Sequence, residues 1–136
     1  MKYTKNQLKD LEYMIIGAAI EVHKHLGPGL LESTYHKCME IEMASKGLNF
    51  VSEMNVPLLY KGKKLDTNLR CDLFIEGLIA LELKSVDCLA PIFNAQLLTY
   101  MKLLKCPKGL LINFNCLNIV KEGRRSLVNE IFAGMR

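Results

Sequence analysis

The segment Asp72-Leu-Phe-Ile-Glu-Gly-Leu-Ile-Ala-Leu-Glu82-Leu-Lys84 places the tightest constraint on this chain. Two apolar runs of strand length are interrupted by two carboxylates and a lysine. A sheet interior tolerates such charges only where they are paired or hold a cation. The conflict is resolved if the three charged groups build a site.

Successive strand residues point to opposite faces, so Glu82 and Lys84 share one side and Leu81, Leu83 and Ser85 the other. Asp72 joins them only under a condition on the hairpin. A two-residue turn at Glu76-Gly77 sets Asp72 opposite Leu81, on the wrong face. A three-residue loop such as Ile75-Glu76-Gly77 with Gly77 left-handed, or a bulge near Asp72, brings Asp72 to the face of Glu82 and Lys84. Two carboxylates and a lysine then suit Mg²⁺ (or Mn²⁺) and an attacking water, because a hard ion needs one or two carboxylates and keeps several waters. The peptide carbonyl of Leu83 offers one more ligand. Lys84 would orient the water or stabilise charge in the transition state. Taken alone, the spacing also fits a solvated strand face with an aspartate at a strand end, so its surroundings decide.

Before this hairpin the chain reads as helical. Leu8, Leu11, Ile15, Ala18, Ala19, Val22 and Leu26 recur at helical spacing from about Asn6, and Gly27-Pro28-Gly29 stops the run. A second helix is expected from about Leu31 to Ser45, with Tyr35, Cys38, Met39 and either Glu42 or Met43 on one face and Gly47 just beyond its end. Residues 50–60 look extended, with Pro57 marking an edge or bulge. Lys61-Gly62-Lys63 is a turn, and strands are expected at about 65–75 and 78–86. Pro91 can open a third helix bearing Phe93, Leu97, Tyr100, Met101 and Leu104. A strand at 110–114 follows, then a short apolar run at 117–120 that reads as another strand, then a terminal helix at 126–135. Strand, helix and strand around 78–114 favour a crossover, hence an α/β domain with a mixed sheet and helices on its faces.

With 136 residues and half of them hydrophobic, one domain spanning 1–136 is expected, folding alone or as a simple oligomer. A homodimer or a protein partner stays open. The net charge of +4 suits a phosphate-bearing partner, and Lys61, Lys63, Lys64, Arg70, Arg124 and Arg125 are the cations that could hold one. Five cysteines with no CxxC pair read as free thiols. The apolar stretch Ile15–Ile20 is too short to span a membrane, and no cleavage site follows it, so a cytoplasmic protein without a membrane is expected.

Gly29-Leu-Leu-Glu32-Ser-Thr-Tyr35, then Asp72, then Glu82-Leu-Lys84, then Gln96-Leu-Leu-Thr-Tyr100 occur in that order. Together they resemble the GxxExxY protein family, a small branch of the PD-(D/E)xK nuclease superfamily similar to RecB-type nuclease domains. The likeness runs from about Ile15 to Phe114. It implies a restriction-endonuclease-like core (α-β-β-β-α-β) preceded by an extra N-terminal helix, and a metal-dependent nuclease acting on nucleic acid, with DNA favoured. It implies Asp72, Glu82 and Lys84 as the catalytic and metal-binding set, with Glu32 as a further acidic group. Gln96 and Tyr100 would line the site or contact nucleic acid, as would Tyr35 and Arg70, and His23 is a candidate metal ligand because some RecB-like enzymes use a histidine of an early helix. Helical spacing independently puts Gln96 with Tyr100, and Glu32 with Tyr35, on shared faces. Both tyrosines could instead be packed in the core. Arg70-Cys71-Asp72 departs from the Pro-Asp dipeptide of the superfamily's name while keeping the carboxylate. The competing function is a non-catalytic nucleic-acid- or protein-binding module on the same fold.

Overall fold

A computed structural model describes residues 2–136. Helix α1 (Lys5–Leu26) starts at a capping box. Thr4 Oγ1 accepts from the Gln7 amide at 3.1 Å, and the Gln7 side chain accepts from the Thr4 amide at 2.9 Å, which satisfies two donors left over at a helix start. Leu8, Leu11, Ile15, Ile16, Ala18, Ala19 and Val22 are its buried stripe, whereas Leu26 remains largely exposed at its end. Helix α2 (Glu32–Ser45) buries Tyr35, Met39 and Met43. Gly47, at φ 75°, provides the left-handed residue that follows it.

Seven strands come next, with helices between and after them. They are β1 (Phe50–Asn55), β2 (Leu58–Tyr60), β3 (Lys63–Leu65), β4 (Arg70–Ile75), β5 (Ile79–Lys84), β6 (Lys108–Asn113) and β7 (Arg124–Val128). Helix α3 (Pro91–Leu104) lies between β5 and β6, the single turn α4 (Ile119–Glu122) between β6 and β7, and α5 (Glu130–Ala133) after β7. The main sheet has the order β1-β4-β5-β6-β7. Only β5 and β6, joined through α3, run parallel, and every other neighbour is antiparallel. The sheet is therefore mixed, with helices on both faces, as the residue pattern predicts.

One face of the sheet packs Leu73, Ile75, Ile79, Leu81, Leu83, Leu110 and Ile112 against α1 and α2. The other packs Ala80, Leu111 and Cys71 against Leu97, Tyr100 and Met101 of α3. Strand β5 is central and covered on both sides, which explains its nearly unbroken apolar sequence. Helix α3 lies so close to β6 that a Cβ on Gly109 would come within 2.6 Å of Met101 Sδ and 2.8 Å of Leu97 Cγ.

Three expected elements differ. The strand anticipated from 65 to 75 begins only at Arg70: residues 66–69 lie outside any strand, and Leu65 is the last residue of β3, which pairs with β2 in a separate hairpin. Residues 119–122 form a helical turn capped by the Asn118 side chain rather than a strand. Of the terminal helix expected at 126–135, residues 126–128 belong instead to β7, an edge strand on β6, and only Glu130–Ala133 are helical. Arg124–Val128 has no strong period of its own, and the open edge of β6 decides its conformation. Among the described residues no helix is long and apolar enough to cross a membrane.

Candidate active site

The β4–β5 hairpin closes over three residues. Ile75 pairs with Ile79 and Leu73 with Leu81, leaving Glu76, Gly77 and Leu78 as the loop. Glu76 and Gly77 are both left-handed, at φ 54° and 66°. A three-residue loop meets the register condition, one position later in sequence than Ile75-Glu76-Gly77. Continued one step past Leu73 and Leu81, this register sets Asp72 opposite Glu82.

At that step the ladder between the strands stops and side chains replace it. The Asp72 amide donates to Glu82 Oε2 at 2.7 Å, and the Leu83 amide donates to Asp72 Oδ2 at 2.8 Å. Each carboxylate thus satisfies a backbone donor on the opposite strand and retains one oxygen for other work. Glu82 is 5% exposed. Burial first, and the charge of Asp72 next, push its carboxyl up from 4.5 to about 8, although its bond from the Asp72 amide and the charge of Lys84 act the other way. The two carboxylates are poor neighbours without a cation. Their free oxygens form a hard donor set of the kind that a divalent ion takes.

Lys84 follows on the same side, its Nζ 4.6 Å from the centre of the Phe93 ring on α3. Tyr100, also on α3, is buried. Its hydroxyl accepts from Gln96 Nε2 at 3.3 Å, and it is held above its ordinary pKa by burial and then by the charge of Glu82. Gln96 itself is exposed and borders a shallow depression with Ile92, Phe93, Ala95 and Thr99.

From the opposite layer, α2 delivers Glu32 at its first turn. Glu32, Asp72 and Leu83 line one cleft of about 440 Å³ together with His36, Lys37, Glu40 and Glu53. The approach of α2 is fixed from below. Tyr35 Oη donates to the Gly27 carbonyl at 2.6 Å and accepts from the Leu30 amide at 3.2 Å, and Ser85 Oγ donates to the Leu30 carbonyl at 2.6 Å. The Gly27–Leu30 loop is thereby tied both to α2 and to the chain leaving β5. Buried Asn113 holds the same exit, accepting from the Val86 amide at 3.1 Å and donating to the Val86 carbonyl at 3.0 Å.

Two expected site residues are turned to other tasks, and a third lies at the surface. Tyr35 is fully buried and stacked on Phe114 at 4.3 Å, so it cannot touch nucleic acid and instead positions the loop before Glu32. His23 Nε2 is bonded to the Cys116 carbonyl at 2.8 Å, outside the cleft, because the last turns of α1 lie over the end of β6. Arg70 lies at the surface with its guanidinium on Asn55 Oδ1 at 2.6 Å and the Leu69 carbonyl at 3.1 Å.

The histidine that reaches Asp72 is His36. One ligand atom each from His36, Glu53 and Asp72 lies within 4.8 Å of the others. Glu32, His36 and Glu40 follow one another at four-residue intervals, a helical stripe that could have pointed to His36. Nothing in the sequence marks Glu53. It stands opposite Asp72, between the pairs Ser52–Leu73 and Met54–Cys71, with a φ of 53° that side chains other than glycine rarely adopt. That residue also switches the strand's faces, with Phe50 packed toward α2 and Met54 toward α3.

A model of the family described as the PD-(D/E)XK nuclease superfamily matches residues 9–126 of the chain. No curated protein and no solved structure matches it.

Proposed function

We propose that this chain, which belongs to the PD-(D/E)XK nuclease superfamily, hydrolyses phosphodiester bonds of nucleic acid, DNA foremost, with a divalent cation, Mg²⁺ or Mn²⁺. The observation that carries the reading is the cross-strand exchange of Asp72 and Glu82, each on the other strand's backbone, where the sheet opens. Asp72 and Glu82 would hold the ion with their free oxygens, the Leu83 carbonyl would complete the set, and Glu32 would approach from α2. A divalent ion so held neutralises charge on the phosphate and makes water more acidic.

The remaining roles belong to side chains. Lys84, at the end of β5 and beside Glu82, stabilises negative charge as it develops on the phosphate. Gln96 and Tyr100 shape the α3 wall. The exposed lysines Lys61, Lys63 and Lys64, on the β2–β3 hairpin, supply charge for the phosphate backbone and make binding sensitive to salt. One observation favours the non-catalytic reading. Lys84 Nζ sits over the Phe93 ring, an interaction that competes with a phosphate for the ammonium.

The test replaces Glu82 and Lys84 by Ala separately and follows metal-dependent cleavage of single- and double-stranded DNA and RNA, with binding measured in parallel. Loss of cleavage with binding retained is expected for Lys84→Ala. Undiminished cleavage in both variants sinks the mechanism.

A further inference from the structure

We infer that the β2–β3 hairpin is a binding site for an unpaired nucleotide, in which Tyr60 stacks on the base while Lys61 and Lys63 hold the flanking phosphates. The inference rests on the proposed function and narrows its substrate to nucleic acid with a single-stranded segment.

The hairpin stands apart from the rest of the fold. Strands β2 and β3 pair only with each other, through Leu58–Leu65, Leu59–Lys64 and Tyr60–Lys63. Both residues of the turn between them have positive φ, 49° at Lys61 and 79° at Gly62, the geometry that a tight twisted hairpin prefers. None of the hairpin's apolar side chains joins either core of the domain. Leu59 and Tyr60 are 64% and 61% exposed, and Leu65 is 41% exposed. A two-stranded ribbon with no covered face is marginal in water. Apolar side chains gathered at the surface of so short a ribbon mark an interaction site.

Register and charge say what that site takes. Paired residues share a face, so Tyr60 and Lys63 lie side by side with Leu58 and Leu65 behind them, while Leu59 and Lys64 face the other way. Lys61 also approaches the aromatic ring, its Nζ 5.5 Å from the ring centre. No acidic residue occurs between Val56 and Leu65. Among the described residues, Lys61, Lys63 and Lys64 form no ion pair. An exposed ring flanked by unneutralised ammonium groups matches a ligand that joins a flat apolar face to negative charge. A nucleotide is such a ligand, because its base stacks on the ring and its phosphates meet the lysines. In a duplex both faces of a base are covered by its neighbours, so the base that stacks here is unpaired.

Position links the hairpin to the candidate active site. It is inserted between Asn55 of β1 and Arg70 of β4, the last pair of that ladder. Its root is closed by the Val56 amide, which donates to the Leu69 carbonyl at 3.0 Å, and by Arg70 on Asn55 Oδ1 at 2.6 Å. From Asp72 back to Arg70, across to Asn55 and out to Tyr60, the backbone path is no more than about 30 Å. One strand of roughly ten nucleotides at about 3.4 Å each reaches both ends of it.

The test uses the whole chain in EDTA and follows the fluorescence anisotropy of labelled oligodeoxythymidine, of oligouridine as the RNA arm, and of a blunt-ended DNA duplex. Tyr60→Ala should weaken binding to the tighter of the two single strands roughly 5- to 150-fold and leave duplex binding within about twofold. Tyr60→Phe, which keeps the ring, and Leu59→Ala, on the other face, should both stay within about twofold of wild type on that strand. The chain has no tryptophan, so Tyr60→Trp supplies a single reporter, and the same strand should quench its fluorescence. Unchanged single-strand binding in Tyr60→Ala, an equal loss on the duplex, an equal loss in Leu59→Ala, or an unquenched Tyr60→Trp overturns the site. Binding of wild type to phosphatidylserine vesicles that Tyr60→Ala abolishes, with oligonucleotide binding untouched, overturns it in favour of a membrane contact. Metal-dependent cleavage, measured separately, keeps the two readings apart. A chain that cleaves but binds single strands independently of Tyr60 loses only this inference, and one that binds them through Tyr60 without cleaving loses only the nuclease.

Discussion

Replacing Glu82 by Gln asks how far the site is maintained against the stability of the fold. In the folded chain the Glu82 carboxyl is pushed up from 4.5 to about 8, by burial and then by Asp72. Between those two values the folded state binds more protons at this group than the unfolded chain does, so stability falls as pH rises. The penalty is absent below about pH 4.5, accumulates up to about pH 8 and is complete above it. At pH 7 the group lies about 2.5 pH units above its unfolded value, and at about 1.4 kcal/mol per unit the penalty is about 3 kcal/mol. Glutamine keeps an oxygen for the Asp72 amide and removes the charge. In urea unfolding of metal-free protein at pH 5, 6, 7 and 8, Glu82→Gln should therefore exceed wild type by about 3 kcal/mol at pH 7. The gap should shrink to under about 1 kcal/mol at pH 5. Saturating Mn²⁺ should narrow the gap at pH 7, because a cation favours the ionised carboxylate and has less to gain from the amide. Parallel pH slopes in the two metal-free proteins would refute the reasoning.

Three further outcomes are expected. Tyr35→Phe leaves the Gly27 carbonyl and the Leu30 amide without their partner, and should lower stability by about 1–3 kcal/mol in urea unfolding; an unchanged midpoint would show that the phenol does not hold the loop. Gly109→Ala forces a methyl group against Met101 and Leu97 and should cost about 1–3 kcal/mol, read as a lower midpoint in thermal unfolding, with an unaltered midpoint contradicting the close approach of α3. The triple variant Lys61→Ala/Lys63→Ala/Lys64→Ala should flatten the slope of log binding constant against log salt on duplex DNA by up to about 3, at about 0.9 for each phosphate no longer neutralised. A slope equal to that of wild type would remove the β2–β3 hairpin from the nucleic-acid surface.

Much of the architecture is legible along the chain because it rests on local signals. Helix α1 has its capping residues and a continuous apolar stripe, α3 has Pro91 at its start, and β4 and β5 have their apolar runs with a left-handed glycine between them. The ends of the chain are less legible. Arg124–Val128 becomes a strand because β6 has a free edge, and Asn118 turns Ile119–Glu122 into helix by capping it, so neither segment is decided by hydrophobic period. The candidate site divides in the same way. Asp72, Glu82 and Lys84 stand out because charges in an apolar strand require an explanation. The Glu32–His36–Glu40 spacing hints at His36, but it is the packing of α1 near Cys116, and of α2 over Ser52, that separates it from His23.

The sequence by itself determined the class of fold, the hairpin that carries the charged residues and the condition under which Asp72 faces Glu82. Those features depend on residue period and turn chemistry, which act over a few neighbours. The tertiary structure decided which oxygens are already occupied, that Tyr35 is a clamp on the loop before Glu32, and that Glu53 and His36 converge on Asp72. These depend on where β1, β4 and α2 lie relative to one another, and residues tens of positions apart meet only when burial of the sheet's two faces brings their elements together.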